Sequence, residues 1–365
     1  MTDLILCVTN DLVHDRRMQR IGRSLTEAGY RVTLVGRRYA DASALGPQPF
    51  RQERMRLWFR RGKAFYVEYQ IRLFILLLFR RADALVAVDL DTILPVALVG
   101  WLRRKPCIFD AHEDYTRVPE LLERPRETAI WEWVGRWSIP RMALCYTVGE
   151  ALSRILGDRY GIPFEVIRNV PPRQDRGRPL PGIATRQLWY HGTLNAGRGL
   201  EEIIQAMPAL PGWRLKIAGD GVLAVHLENM IRRLGLGDRV TLLHWVAPEA
   251  LWEHMAASAI GLNLLDGRAE SYRYSLANKT FDYIQAGLPA ICMDFPEYQS
   301  LDSQGPIGVL VEDMSTPRLV EAVRKLEDPG YYQTCQQALL RCREEWIWEK
   351  ESERLIRLYR RILPR

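Results

Sequence analysis

Short β-branched runs alternate with longer amphipathic ones along the first half of the chain: Leu4–Thr9, Arg16–Ala28 and Arg31–Val35, then Ala84–Val88, Pro95–Leu102, Cys107–Asp110 and Ala143–Val148. The short runs fit buried strands, and the longer ones carry the three-to-four-residue period of helices laid against them. Gly29 stands just past the first helical run, where a left-handed residue ends a helix, and Tyr30 leads into the next strand. The alternation predicts a parallel, doubly wound α/β sheet.

Between Arg168 and Arg186 the periodicity stops in a segment of Pro, Gly, Arg and Asp that suits neither helix nor ladder. It then resumes through Gln187–Tyr190, Gly199–Met207, Arg214–Ala218, Leu223–Leu234, Val240–His244, Glu249–Ala256, Ile260–Leu264, Leu276–Gln285 and Pro289–Met293. The organisation read from this is a first Rossmann-like domain over 1–170, a linker over 171–186 and a second Rossmann-like domain over 187–330. A helical tail over 331–365 is expected to cross back to the first domain. The 365 residues suffice for two such domains. Two doubly wound domains facing across a cleft would place a ligand at the carboxyl ends of both sets of strands.

Composition changes this picture little, with 47% hydrophobic and 26% charged residues, as in ordinary globular chains. The charge changes it more. The formal net charge is +7, and it is concentrated: from Arg51 to Arg81 there are nine basic residues and two acidic ones, while the rest of the chain sums to zero. Such a stretch can attract membrane anions, nucleic acid or a phosphorylated ligand. No nucleic-acid-binding module accompanies it, so nucleic acid is not expected as a partner. The six cysteines are scattered without metal-site spacing, which argues against zinc or a disulfide framework. The start of the chain has no basic and apolar leader pattern, and the run Leu73–Phe79 is too short to span a bilayer. A cytoplasmic protein is the expectation, peripheral at the inner face of a membrane if the basic stretch lies on one.

The candidate chemistry sits just after strands. Asp110, His112 and Glu113 crowd the loop after Cys107–Asp110, where a histidine can hydrogen-bond a sugar or assist charge development. Asp89 and Asp91 follow Ala84–Val88; two carboxylates on alternate residues can reach a cation, or Asp91 or Thr92 can cap the next helix. In the second half, Gly192, Thr193 and Arg198 form a glycine-punctuated turn between strand and helix, suited to a phosphate. Ser275 can cap a helix whose first turns carry Asn278 and Lys279, with Asp282 one turn further on the same face and Gly287 ending it. Each of these also has a plain structural reading as a cap or a solvated face.

Together the motifs resemble retaining, nucleotide-sugar-dependent glycosyltransferases of the GT-B fold, most closely the family-four group of bacterial surface-polysaccharide enzymes. The likeness runs through Thr9-Asn10-Asp11 with Asp15 and Arg16, Asp89–Thr92, Asp110–Glu113, Val118–Leu121, Arg168–Pro171, Gly192–Gly199, Ala218–Gly221 and Asn278–Pro289. The resemblance implies that His112 lies near the transferred sugar. It further implies that Arg198 and Lys279 hold the donor diphosphate, that Asp282 binds the ribose, and that Asn10, Asp11, Asp89 and Asp91 stand on the acceptor side. It requires no metal. Three positions depart from the family pattern: Tyr274 stands where a glutamate is usual, Thr193 where an arginine is frequent, and Asn10-Asp11 replaces a glycine-rich loop.

The reaction implied is transfer of a sugar, with retention, from a nucleoside diphosphate to a saccharide or lipid-linked acceptor in surface-polysaccharide or glycoconjugate synthesis. A non-hydrolysing nucleotide-sugar epimerase shares the two-domain fold, and a non-catalytic, glycosyltransferase-like scaffold would fit the missing glutamate; both readings remain open at this level. The Arg51–Arg81 stretch, interleaved with Met55, Leu57, Trp58, Phe59, Phe65 and Tyr66, suits either an anionic leaflet or a core helix with a solvated basic edge.

Overall fold

Side chains such as Leu4, Leu6, Val86, Leu188 and Ile291 are fully buried on strands whose neighbouring residues are buried too, so these strands have no water-facing side. That is the signature of parallel sheets covered on both faces. The computed structural model describes residues 1–13, 15–39, 43–118, 121, 124–174, 180–268 and 270–363. The chain divides into two units, Met1–Asn169 with Lys350–Arg365, and Val170–Glu349.

The first unit runs β1 (Asp3–Cys7), α1 (Arg16–Glu27), β2 (Arg31–Arg37), β3 (Arg51–Met55), α2 (Gly62–Phe79), β4 (Ala84–Val88), α3 (Leu90–Arg103), β5 (Cys107–Ala111), α4 (Pro125–Ser138), β6 (Leu144–Thr147), α5 (Glu150–Tyr160) and β7 (Glu165–Val166). Its sheet has the order β3-β2-β1-β4-β5-β6-β7, parallel throughout. The order reverses around β1, so the loops after β1 and β4 lie where a doubly wound sheet binds ligands. Strand β3 escapes the hydrophobic pattern: Arg-Gln-Glu-Arg-Met is polar because it forms the sheet's edge, where charged side chains discourage further pairing. Helix α3 begins at Leu90, five residues before the apolar run that marks it in the sequence, and carries Pro95 inside.

Helix α2 is apolar on two sides. Phe65, Tyr69, Leu73 and Leu77 are buried at four-residue spacing, while Val67, Ile71, Ile75 and Phe79 recur at the same spacing and are at least half exposed. Among the described residues no helix is long and apolar enough to cross a membrane.

The second unit runs β8 (Gln187–His191), α6 (Leu200–Ala206), β9 (Arg214–Ala218), α7 (Ala224–Arg233), β10 (Val240–Leu242), α8 (Pro248–Ala256), β11 (Ile260–Asn263), α9 (Glu270–Arg273), α10 (Asn278–Ala286), β12 (Ala290–Met293), α11 (Pro296–Asp302), β13 (Gly308–Val311), α12 (Thr316–Glu327) and α13 (Pro329–Glu345). The strand order is β10-β9-β8-β11-β12-β13, again parallel.

Of the expected linker, residues 175–179 lie outside the described residues, as do residues 119, 120 in the Val118–Leu121 motif. The described linker residues belong with the second unit, and Pro171 accepts the backbone N–H of Trp348 at 2.9 Å. The tail does not leave as a block at 331. Helix α13 stays with the second unit, where Tyr332, Cys335 and Leu339 are buried, and only from Lys350, within α14 (Trp348–Ile362), does the chain join the first. There Tyr359 packs edge-on to Tyr30 and lies 3.3 Å, hydroxyl to hydroxyl, from Tyr146.

Candidate active site

In the first unit the carboxyl edge holds a closed network of charges. Arg17, in the first turn of α1, is buried and donates to both carboxylate oxygens of Asp110, from Nη2 at 2.8 Å and Nε at 3.2 Å, and from Nη1 to the carbonyl of Ile167 at 3.1 Å. Asp110, next to last in β5, has no exposed surface. Burial alone would raise its carboxyl, but Arg17 and then His112 outweigh that and hold it at about 2.

His112 sits between two carboxylates, with Nδ1 3.1 Å from Asp89 and Nε2 3.4 Å from Asp110, and its backbone N–H donates to Asp89 at 2.8 Å. Burial opposes the charged form, yet Asp89 and Asp110 together raise the imidazole well above its ordinary range. The two carboxylates thus favour the charged imidazolium, a donor and a positive charge rather than a base. Its Nε2 makes no well-aligned hydrogen bond within the protein. Asp89 adopts φ +57°, a left-handed conformation that costs a non-glycine residue energy and that here turns its carboxylate back onto the β5 loop.

Asp91 takes a different partner from Asp89. It is buried in the first turn of α3, accepts the Thr9 hydroxyl at 2.5 Å, and is pushed up to about 7 by burial and by the charge of Asp89. Asn10 and Asp11 shape the loop after β1: the Asn10 carbonyl accepts the N–H of Arg37 at 3.1 Å, and Asp11 pairs with Arg54 at 3.2 Å. Glu113 is exposed, outside the buried cluster, and the neighbouring Asp114 is spent on Arg159 at 2.7 Å. Among the described residues no group of three or more His, Cys, Asp or Glu side chains is placed to hold a metal ion.

The second unit leaves its cations open. Lys279, 6% exposed, lies in the first turn of α10 with its Nζ 3.7 Å above the centre of the Tyr190 ring and without a hydrogen-bond partner. A side chain on Gly192 would come within 3.8 Å of that Nζ, so the ammonium faces the turn after β8. Gly192 adopts φ +137°, and a Cβ on Gly219 would clash with the Gly192 carbonyl, so the two glycines let the turns after β8 and β9 meet backbone to backbone. Arg198 lies over Tyr272 at 4.9 Å, and its Nε too is buried without a partner. Burial, and after it the charge of Arg198, pushes Lys279 well below the usual lysine range. Two adjacent cations, each on an aromatic face and each short of hydrogen-bond acceptors, form a seat for an anion at a helix N-terminus.

Ser275 is not the cap of that helix. The helix begins at Asn278 behind Ala277, no side chain caps it, and the Ser275 hydroxyl donates to the carbonyl of Tyr272 at 3.0 Å. Within that first turn the Ala277 carbonyl accepts the Thr280 N–H at 3.0 Å. Thr193 is exposed, and its carbonyl accepts the Tyr190 hydroxyl at 2.9 Å. Asn278 is exposed as the first helical residue. Tyr274 follows the single turn α9 and is half-buried. Gly287 closes α10 in the left-handed conformation expected of it.

Two participants were missed by motif reading. Arg17 falls on the core-facing row of α1 with Met18, Ile21 and Leu25, and a charge in such a row is a signal of a buried partner. His191 accepts the indole N–H of Trp189 on Nδ1 at 3.0 Å, so its proton sits on Nε2 and is donated to Asp282 at 3.1 Å. That chain fixes the orientation of Asp282, which is 34% exposed.

The fold and these sites define the class. Over 99% of this chain and 99% of the other, it superposes on sucrose-phosphate synthase from Thermosynechococcus elongatus with a TM-score of 0.78 at 16% identity. It superposes on Anabaena HepE in complex with UDP and glucose with a TM-score of 0.73 at 14% identity, over 97% and 98%. This is the two-domain GT-B fold. Family models for Glycosyltransferase Family 4 and Glycosyl transferases group 1 match residues 15–172 and 185–328 in succession, and the chain is a family-four-like GT-B glycosyltransferase. Curated relatives include an exopolysaccharide phosphotransferase of Streptomyces coelicolor, 33% identical over 35% of this chain and 13% of its own length. Another is the lipopolysaccharide core biosynthesis glycosyltransferase LpsD of Rhizobium meliloti, 25% identical over 64% of this chain and 65% of its own length. The matches thus span less than two thirds of either relative.

Proposed function

We propose that the protein transfers a sugar, with retention at the anomeric carbon, from a nucleoside-diphosphate sugar to a saccharide or lipid-linked acceptor in cell-surface polysaccharide synthesis. The observation that carries this reading is the buried, unpartnered ammonium of Lys279 beside Arg198 at the uncapped start of α10. A departing diphosphate supplies the acceptors both cations lack, and their stabilisation of it grows as its negative charge develops. Asp282, oriented by His191, accepts from ribose hydroxyls. His112, held as an imidazolium by Asp89 and Asp110, donates to the transferred sugar. On this reading side chains, not a divalent cation, neutralise the diphosphate. The UDP bound in the HepE structure supports a nucleotide-sugar donor.

A turnover screen with UDP-, GDP- and dTDP-sugars tests the reading, with and without EDTA. We expect one donor class to be consumed, with turnover insensitive to EDTA. Lys279→Ala and Arg198→Ala are each expected to lower kcat/KM about tenfold to a thousandfold. Wild-type turnover in both variants would refute the assignment. Donor binding with no turnover would favour the non-catalytic scaffold, and a new epimer formed without acceptor would favour the epimerase.

A further inference from the structure

We propose that the carboxyl edge of β2 and β3 carries a second anion site, which takes the diphosphate of a lipid-linked acceptor. The proposal rests on the transferase reading above and names its class of acceptor. A cavity of about 520 Å3 opens there, lined by Arg37 at the end of β2, Arg38 beyond it, Arg56 just past β3, and Arg60 and Arg61 on the approach to α2. Among the described residues none of these five guanidinium groups is paired with a carboxylate.

The nearby acids among the described residues are engaged elsewhere. Asp11 pairs with Arg54, and Glu53 pairs with Arg51 and Arg80. Glu68 accepts the backbone N–H groups of Trp58 and Phe59 at 2.8–2.9 Å and pairs with Arg72 at 2.7 Å, which pins the loop that carries Arg60 and Arg61. Arg37 lies across two rings, its guanidinium carbon 3.9 Å from the centre of Tyr39 and 4.3 Å from that of Phe65, and its Nε is buried without a partner. Stacking of that kind fixes the guanidinium plane and leaves its N–H edges for phosphate oxygens.

Five arginines without a carboxylate partner among the described residues repel one another around one cavity until a multiply charged anion enters. A diphosphate answers that charge, and its oxygens match the forked donors of arginine. The volume falls within the range of about 300–1,000 Å3 usual for small-ligand sites. A nucleic-acid backbone would need an extended basic track instead. The exposed row on α2 explains why the anion belongs to a lipid. Val67, Ile71, Ile75 and Phe79 lead away from the loop that forms the pocket wall, and Trp58, 83% exposed, stands at their foot under the Arg72 guanidinium. An apolar row of this length marks a binding surface, here for the hydrocarbon chain.

The sheet order also sets the spacing to the reacting end. Three strand intervals separate β2 from β5, about 14 Å at the usual inter-strand distance, so a short saccharide bound at its diphosphate can reach the His112 loop.

Titration calorimetry on the full chain tests the proposal. Affinity for UDP is measured first, and then inorganic pyrophosphate, farnesyl diphosphate and farnesol are titrated with UDP saturating. We expect farnesyl diphosphate to bind roughly tenfold more tightly than pyrophosphate, and farnesol to bind far more weakly than either. Arg38→Gln/Arg60→Gln/Arg61→Gln should raise both diphosphate dissociation constants by about tenfold or more and leave that of UDP unchanged, which shows the fold intact. Ile71→Ser/Ile75→Ser should weaken farnesyl diphosphate alone.

Diphosphate affinities unchanged by the arginine substitutions would overturn the proposal. So would arginine-dependent binding to phosphatidylglycerol vesicles that excess pyrophosphate fails to displace, which would assign the cations to a membrane surface. A chain that does not bind UDP, yet binds farnesyl diphosphate through these arginines, refutes the donor reading and retains the pocket.

Discussion

Arg17 and Lys279 are both buried cations at the carboxyl edge of a parallel sheet, and their surroundings differ in kind. Arg17 meets a carboxylate at two points and a carbonyl at a third, and Asp110 in turn faces His112, so the charges around Asp110 are answered within the protein. Lys279 meets an aromatic face and a second cation. The first arrangement holds a histidine in one place and one protonation state; the second is incomplete until an anion arrives. Burial of charge alone therefore does not mark a ligand site. Burial of charge without acceptors does.

The same substitution at the two positions separates them. Arg17→Met leaves the buried Asp110 carboxylate with His112 at 3.4 Å as its one remaining charged partner among the described residues, and should lower the free energy of unfolding by about 3–5 kcal/mol in chemical denaturation. Lys279→Met removes a charge that the empty site disfavours. It should leave stability unchanged or raise it by about 1 kcal/mol, while donor turnover falls. Equal losses of stability in both variants would break the contrast.

Protonation gives a smaller effect of defined sign. The Asp91 carboxyl is raised to about 7 when folded, so the folded state prefers the protonated form and loses stability as pH climbs from the ordinary carboxyl range through 7. Asp91→Asn should thus gain stability over the wild type at pH 8, by on the order of 1–3 kcal/mol, and show little difference at pH 4. Thermal melts at the two pH values check this. The smallest effect is expected at His191→Phe, which frees Asp282 from its hydrogen bond. Donor KM should rise roughly threefold to tenfold with kcat nearly unchanged, because ribose binding is shared by ground and transition states. A fall in kcat with KM unchanged would show that His191 acts on the reaction itself.

Much of this was legible before any coordinates. Ala84–Val88 and Arg214–Ala218 form strands with the bounds their apolar runs predict, and the Lys279 helix and its glycine stop follow from residue types alone. Strand β3 was not legible, because an edge strand trades the apolar pattern for charge. The cap assigned to Ser275 failed because Ser-Leu-Ala-Asn offers two possible starts, and Tyr298 accordingly receives the N–H of Ala277 rather than leaving it to the serine. The Trp189–His191–Asp282 chain joins residues 91 positions apart, beyond the reach of any local spacing.

The return of Lys350–Arg365 to the first unit has a consequence for the order of synthesis. Glu351 receives the backbone N–H of Arg168, and Tyr359 packs beside Tyr30 and Tyr146, so the core around β1 is closed by a stretch of α14 that is made only after the whole second unit. The second unit is contiguous and has its whole sequence available sooner. During translation the second unit can fold first, while the unit bearing His112 and the five-arginine pocket waits for α14.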